Sequence, residues 1–456
     1  VDLIPDLARI VHDDRVAASD EEIGRHSGGI ADHAPHPPEA VVYPESREEV
    51  AALLAFANEH GVPVTPFGQG SSLEGHVVPE RGGISLDTSR MDRIVELRPE
   101  DFVARVEPGV THERLNRELA GHGLFFPVDP GWDASIGGMA ATGASGTNAV
   151  RHGVMRDQVL GIEVALADGS RIKTGGLSVK SSAGYDLTSL FVGSEGTLGV
   201  FTEITLRLKP LPEIAVAARA TFPSVESAGE AAIAMIRSGM LLGRVELVDE
   251  RTVAAVNAYS GTDYPETPSL FLEFSGDEAA VAADADKARE LARAGGSDSF
   301  DQERDPEARE RLWEARHKAG LAVRALNPER ASISTDVCVP ISELPGAVGA
   351  ARRTISEAGL DGAILGHVGD GNYHAIFTMD ASDPEDLERA YRVNAEIVDY
   401  ALTRGGTCTG EHGVGSGKRA SLEKEHGDSI PLMRGIKRLM DPNGILNPGK
   451  VLPDEG

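Results

Sequence analysis

The stretch "DPGWDASIGGMAATGASGTNA", residues 129 to 149, limits what this chain can become. Its only bulky apolar side chains are Trp132, Ile136 and Met139. A run this poor in apolar volume buries too little surface to offset the entropy of ordering it. It makes sense if backbone wraps closely around a large ligand, because glycine permits close approach. Two further runs share the character: "PFGQGSSLEG", 66 to 75, and "GSEGTLGVFTEI", 193 to 204. Successive backbone N–H groups in such loops make anion-binding nests. Three of them, spaced between strand-like runs, point to a bound ligand rather than to three ordinary turns.

The surroundings exclude two familiar phosphate sites. Val41 to Tyr43 reads as a strand, Ser46 and Glu49 as a capping box, and Val50, Leu53, Leu54 and Ala57 as a helical stripe ended by Gly61. "VPVTPF" is then a strand entering the first glycine loop, which completes a β-α-β unit. A dinucleotide fingerprint needs a helix after the loop. Here Gly82 and Gly83 lead into "ISLD", a strand. A Walker A loop fails at 444 to 451, where Val451 stands in the Ser/Thr place.

Further strands are expected at "FVARVEPG", "VLGIEVALADGSRI" and "GVFTEITLRLKPLPE", with "KPLPE", 209 to 213, as a boundary. A second region should hold strands near 214–222, 243–248, 269–275 and 332–339, a hairpin at 363–377, and helices near 224–238, 305–326 and 383–404. The expected organisation is α+β: a helical lead-in 1–40, a first domain 41–212, a second 213–440, and a tail 441–456.

The hairpin "LGHVGDGNYHAIF", 365 to 377, carries chemistry. Asp-Gly between apolar runs favours a two-residue turn with φ > 0 at both positions. With Asp370-Gly371 at the tip, His367 faces His374. Directly opposed Cβ atoms lie about 4.5–5.5 Å apart, close enough for two imidazoles to reach one metal ion. Pairing on a sheet face without a metal is the plainer alternative.

Composition narrows the class of function. The 456 residues carry a formal net charge of −28, which argues against nucleic acid as a partner. A small anionic substrate would then need local positive charge. Two cysteines, Cys338 and Cys408, are too few for an iron–sulfur cluster. If the protein moves electrons, its carrier is organic. No apolar run approaches the roughly 20 residues of a membrane span, and "VDLIPDLARIVHDDR" lacks the apolar core of a signal peptide. A cytoplasmic protein is expected, with at most peripheral contact at the inner membrane face.

Taken in order, "PFGQGSS", "DPGWDASIGGMAATGASGTNAVRHG", "GSEGTLGVFTEITLRLKP", "GHVGDGNYH", "TGEHGVGSGKR" and "NPGKVL" resemble flavoproteins of the vanillyl-alcohol-oxidase fold. Within them the chain is most similar to the branch of cytochrome-type D-lactate dehydrogenases and glycolate oxidase subunits. The resemblance implies an FAD domain, a substrate cap domain and a tail that returns to the flavin. It assigns Gly68, Gly70, Ser71 and Ser72 to the FAD pyrophosphate. Asp129, Pro130, Ser135, Gly138, Thr142, Gly146 and Thr147 would line the flavin and ribityl chain. Glu195, Gly199 and Val200 would approach the adenosine end, and Asn447 and Lys450 the isoalloxazine edge. Some relatives bond FAD to a histidine in the first loop; Ser71 and Ser72 stand there, so FAD is expected to be non-covalent.

The same resemblance makes Glu411 the third metal ligand beside His367 and His374. Two imidazoles and a carboxylate suit zinc or manganese and leave a position open. It makes His412 the base and Arg316, in "LWEARHKAG", the anchor of the substrate carboxylate, with a surface helix arginine as the alternative. D-2-hydroxyglutarate dehydrogenases carry a threonine and a lysine where this chain has Gly320 and Ser334, which favours a short monocarboxylic acid. The implied activity is oxidation of a D-2-hydroxy acid, D-lactate first, by FAD and a divalent metal. Electrons would pass to a cytochrome, a quinone or an electron-transfer flavoprotein, and a homodimer is one open arrangement. A glycolate dehydrogenase subunit, a flavin-binding subunit without catalysis and a flavin-free metallohydrolase are the other readings.

Overall fold

The computed structural model describes residues 2–30 and 33–454. Residues 1, 31 and 32 of the expected lead-in, and the last two of the tail, lie outside them. The chain divides into two compact units. One holds 1–145, 153–211 and 411–456; the other holds 146–152 and 212–410. Residues 411–440, expected with the second region, thus fall in the first unit, and 146–152 fall in the second.

The first unit contains two main sheets. Strands β1 (Val16–Ala17), β2 (Ala40–Val42), β3 (Val64–Phe67) and β4 (Ile84–Asp87) form one, in the order β1-β2-β4-β3. Both β2 and β3 run parallel to β4, as a β-α-β crossover requires. The crossover helix Arg47–His60 is capped by Ser46, whose hydroxyl accepts the Glu49 amide. The Glu49 carboxylate reaches back to the Glu45 amide. Gly61 ends the helix at φ 65°, where a side chain would be strained. Val50, Leu53, Leu54 and Ala57 are its buried stripe.

The other sheet is wholly antiparallel. It comprises β5 (Ile94–Arg98), β6 (Val103–Val106), β8 (Val159–Ala165), β9 (Arg171–Gly175) and β10 (Val200–Arg207), in the order β5-β6-β10-β8-β9. The short strands β7 (Leu124–Phe125) and β11 (Lys209–Pro210) pair separately.

The second unit is one large antiparallel sheet with helices on both faces. Its strands are β12 (Ile214–Thr221), β13 (Leu242–Val248), β14 (Ser269–Gly276), β15 (Ser299–Glu303), β16 (Ala331–Ser334), β17 (Val337–Cys338), β18 (Asp361–Gly366) and β19 (Asn372–Met379). The order is β15-β12-β14-β13-β18-β19-β16, with β17 on β19. Side-chain alternation splits each strand between two cores. Val216, Ala218, Val245 and Leu247 join the helices Val225–Arg237, Glu278–Ala294, Leu344–Glu357 and Pro384–Leu402. Ala217, Val248, Leu365 and Ile376 join the helices Glu250–Ser260, Pro306–His317 and Ala319–Ala325. The helix expected over 305–326 is therefore two, parted at Lys318.

The hairpin corrects the expected register. His374 pairs with Leu365, not with His367, and five residues, 367 to 371, connect β18 and β19. Only Gly371 in the tip has positive φ, 83°, whereas a two-residue turn of the expected type needs two such residues. Instead Asp370 N–H bonds to the His367 carbonyl and Gly371 N–H to the Val368 carbonyl, two overlapping turns.

Candidate active site

In the first unit the three glycine loops meet. A Cβ on Gly68 would fall 2.5 Å from Ser135 Oγ, so the first loop presses against the start of the helix Ile136–Thr142. Gly193 N–H and Glu195 N–H donate to the carbonyls of Ala140 and Ala141, which ties the third loop to that helix. A Cβ on Gly196 would fall 2.9 Å from Pro66, which closes the triangle. Ile136 and Met139 are buried beneath it, while Trp132 is 46% exposed. Ser72 Oγ and Ser194 Oγ are buried with no hydrogen-bond partner among the described residues. Glycine backbone at closest approach, with unanswered hydroxyls beside it, fits a polar ligand as large as FAD.

The other expected FAD residues are distributed unevenly. Ser135 caps its helix through Gly138 N–H, and Thr142 Oγ1 donates back to the Gly138 carbonyl. Gly70 turns at φ 65°, while Ser71, Asp129 and Pro130 are half-buried. Gly146 and Thr147 belong to the second unit. Packing accounts for Gly199, whose Cβ would lie 2.3 Å from Val164, and for Val200, a core residue of β10. Asn447 and Lys450 hold the tail: Asn447 donates to the carbonyls of Glu195 and His76, and Lys450 to the Val78 carbonyl and Glu80. Burial pushes the Lys450 ammonium below its ordinary pKa against the pull of Glu80.

Glu195 adopts φ 54°, and its carboxylate accepts Val414 N–H at 2.7 Å and Gly415 N–H at 2.8 Å. It thereby holds the segment that carries His412. Glycines make that segment fit: a Cβ on Gly413 would lie 2.7 Å from His76 Nε2, and one on Gly415 would strike the Glu74 carbonyl. His412 Nδ1 lies 3.6 Å from Glu74 Oε1, and Lys418 Nζ lies 3.1 Å from the same oxygen. Burial opposes the charge on Glu74, but Lys418 and His412 outweigh it and hold the carboxyl below its usual range.

In the second unit the two hairpin histidines do come together. Their rings are 5.6 Å apart at 85°, although they are not directly opposed. A register shift of two, unlike a shift of one, leaves a residue on the same face. His374 Nδ1 is 3.1 Å from the Thr335 carbonyl, and His367 Nδ1 is 2.9 Å from Glu246. Carbonyls and carboxylates only accept, so each ring donates from Nδ1, and Nε2 is the nitrogen that would meet a metal. An imidazole held through its Nδ1 proton in this way is the usual arrangement of a metal-ligating histidine.

Asp336 is fully buried beside them, with Oδ1 3.8 Å from His374 Nδ1 and bonded to Asn372 Nδ2 at 2.9 Å. Thr409 Oγ1 donates to its other oxygen, and Gly410 N–H to its carbonyl. The chain then runs directly into Glu411 and His412. Arg316, 5% exposed, is no surface arginine; its Nη2 meets Glu246 at 2.5 Å. Sequence reasoning missed Glu74, Glu246 and Asp336. The one available signal was an acid inside an apolar strand, as in "RVELV".

Residues 211–451 match the family model described as FAD linked oxidases, C-terminal domain, and residues 38–175 match an FAD binding domain. The chain belongs to the FAD-linked oxidase family. As a member it is an FAD-linked oxidoreductase, and the flavin-free hydrolase reading falls. It is 44% identical to a probable mitochondrial D-lactate dehydrogenase of Danio rerio, over 98% of this chain and 92% of that one. It is 42% identical to the mitochondrial cytochrome-type D-lactate dehydrogenase of Arabidopsis thaliana, over 99% and 80%. It is 36% identical to a glycolate oxidase subunit of Bacillus subtilis, over 91% and 89%.

Among solved structures, p-cresol methylhydroxylase with substrate bound matches with TM-score 0.80 at 19% identity, over 99% of this chain and 96% of that one. The 4-ethylphenol oxidase of Gulosibacter chungangensis matches with TM-score 0.78 at 20% identity, over 99% and 97%. The fold of this family member is thus α+β of the vanillyl-alcohol-oxidase type. Among the described residues no helix is long and apolar enough to cross a membrane. The zebrafish and Arabidopsis relatives are described as mitochondrial, a location other than the expected cytoplasm.

Proposed function

We propose that this family member oxidises a short D-2-hydroxy acid, D-lactate first, to the 2-oxo acid and passes two electrons to an external acceptor. Bound FAD would supply hydride acceptance from C2, and a bound divalent ion, zinc or manganese, would supply polarisation of the hydroxyl. The converging glycine loops at Gly68, Ser135 and Gly193 would hold FAD without a covalent bond. His367 and His374, through Nε2, and Glu411 would hold the ion, with Asp336 beside them.

Each remaining task belongs to one side chain. Arg316 pairs with the substrate carboxylate; a guanidinium suits that planar partner. His412 takes the hydroxyl proton on Nε2, the nitrogen other than the one nearest Glu74, whose charge steadies the imidazolium. The observation that carries the reading is the His367–His374 pair with both Nδ1 protons already committed. The names of the zebrafish and Arabidopsis relatives favour D-lactate; that of the Bacillus relative supports glycolate as the second reading.

The test is anaerobic bleaching of the flavin by D-lactate, L-lactate and glycolate, before and after verified removal of metal. D-lactate should bleach fastest, and only with metal present. Faster bleaching by L-lactate defeats the stereochemical assignment. Full-rate bleaching without metal defeats the metal role. A purified, denatured protein should release its flavin into solution.

A further inference from the structure

A carboxylate inside an apolar strand needs a reason to be there. Glu246 lies in β13 between Val245 and Leu247 and is fully buried. Alternation puts it on the same face as Val248, against the helix Pro306–His317. The pairing of Leu247 with Gly366 and Val248 with Leu365, continued by one residue, sets Glu246 opposite His367. Its oxygens lie 2.9 and 3.0 Å from His367 Nδ1, and Oε2 also accepts from Arg316 Nη2 at 2.5 Å. Arg316 Nε is buried without a partner among the described residues, so Glu246 is the group that fixes this guanidinium.

We propose that Glu246 is a positioning residue that sets the His367 tautomer and the Arg316 guanidinium together. The inference rests on the reading of His367 as a metal ligand and Arg316 as the carboxylate anchor. In a 2-hydroxy acid the hydroxyl and the carboxylate sit on adjacent carbons. The groups that meet them must therefore keep one spacing, and a single carboxylate bonded to both enforces it. An amide cannot replace it. Either its NH2 confronts the Arg316 donor, or it donates to His367 Nδ1 and drives the ring proton to Nε2, the nitrogen a metal needs.

The test compares the FAD-loaded parent with Glu246→Gln. Competition with a chromophoric chelator should show Zn2+ and Mn2+ bound about 10–100-fold more weakly, with flavin content unchanged. The KM for D-lactate should rise about tenfold, more than kcat falls, as a lost carboxylate contact requires. Metal affinity and KM both within threefold of the parent overturn the proposal.

Nitrogen-15 NMR of histidine-labelled, metal-free parent needs no variant and stands even if Glu246→Gln does not fold. His367, assigned by difference with His367→Gln, should be protonated on Nδ1; protonation on Nε2 overturns the proposal. A parent that binds neither metal, like His374→Ala, defeats the metal reading instead. Glu246 is then judged by the tautomer and the KM alone, and failure of either overturns it.

Discussion

The carboxylate of Glu195 accepts the Val414 amide at 2.7 Å, across 219 residues of sequence. Its second oxygen accepts Gly415 N–H, so this side chain anchors the backbone two residues beyond His412. The motif resemblance gave Glu195 to the adenosine end of FAD; these bonds also tie it to the loop of the proposed base. Glu195→Gln separates the two. An amide keeps one acceptor and loses the other, so the loop should shift while the flavin stays. Flavin occupancy should be unchanged and kcat should drop about 10–100-fold, the scale of a 1 Å misplacement. Loss of flavin with unchanged turnover per bound flavin would return Glu195 to the FAD site.

Gly371 tests the hairpin that carries both histidines. It sits at φ 83°, and a Cβ there would lie 2.1 Å from the Val339 carbonyl oxygen. Gly239, at φ 75°, has nothing within 4 Å of its Cβ position. Gly239→Ala should cost about 1 kcal/mol, the left-handed penalty alone. Gly371→Ala should cost about 2–3 kcal/mol and weaken metal binding, because the clash adds to the strain. Equal losses in urea unfolding would mean that the β17–β19 contact yields freely.

Much of this architecture was legible because it is local. The stripe of the helix Arg47–His60, its Ser46 cap and its Gly61 stop are sequence-adjacent, and so are the strands on either side. The hairpin was legible in kind but not in register. Asp-Gly favours a two-residue turn, yet bonds to the His367 and Val368 carbonyls give a longer one. Both histidines kept their face because the slip was two residues, the period of a strand. Glu246 was invisible because its partners, Arg316 and His367, are 70 and 121 residues away. No local pattern records that a buried acid will meet them.

Glu163 predicts an acid limit for the first unit. It lies in β8, 5% exposed, and pairs with Arg47 at 3.0 Å and Lys173 at 3.1 Å. Burial opposes its ionisation, but Lys173 and Arg47 hold the carboxyl below its usual value. A depressed carboxyl stabilises fully above the unfolded value of about 4.3, and that stability fades as pH falls through the folded value. Glu163→Gln should cost about 1–2 kcal/mol at pH 7, since both cations are partly solvated. The gap to the parent should close as pH falls from about 4.3 through the lower folded value. A gap that stays constant with pH would show that the loss is packing, not charge.

His412 and Glu74 carry the sharpest prediction for the chemistry. If His412 Nε2 takes the hydroxyl proton, His412→Ala should slow anaerobic flavin reduction by about 10²–10⁴-fold, the usual worth of a general base. The visible spectrum should still show bound flavin, because the glycine loops that would hold it are untouched. Glu74 faces the other nitrogen and is kept ionised by Lys418 and His412. Glu74→Gln leaves the ring in place but removes the charge that steadies its protonated form. Its effect should therefore be smaller, about tenfold, and should fall on kcat rather than KM. In the double variant the Glu74 effect should vanish, since a carboxylate acting through His412 has nothing to act on without it. A full additional tenfold loss on the His412→Ala background would show that Glu74 works through another group, with Lys418 the next to replace.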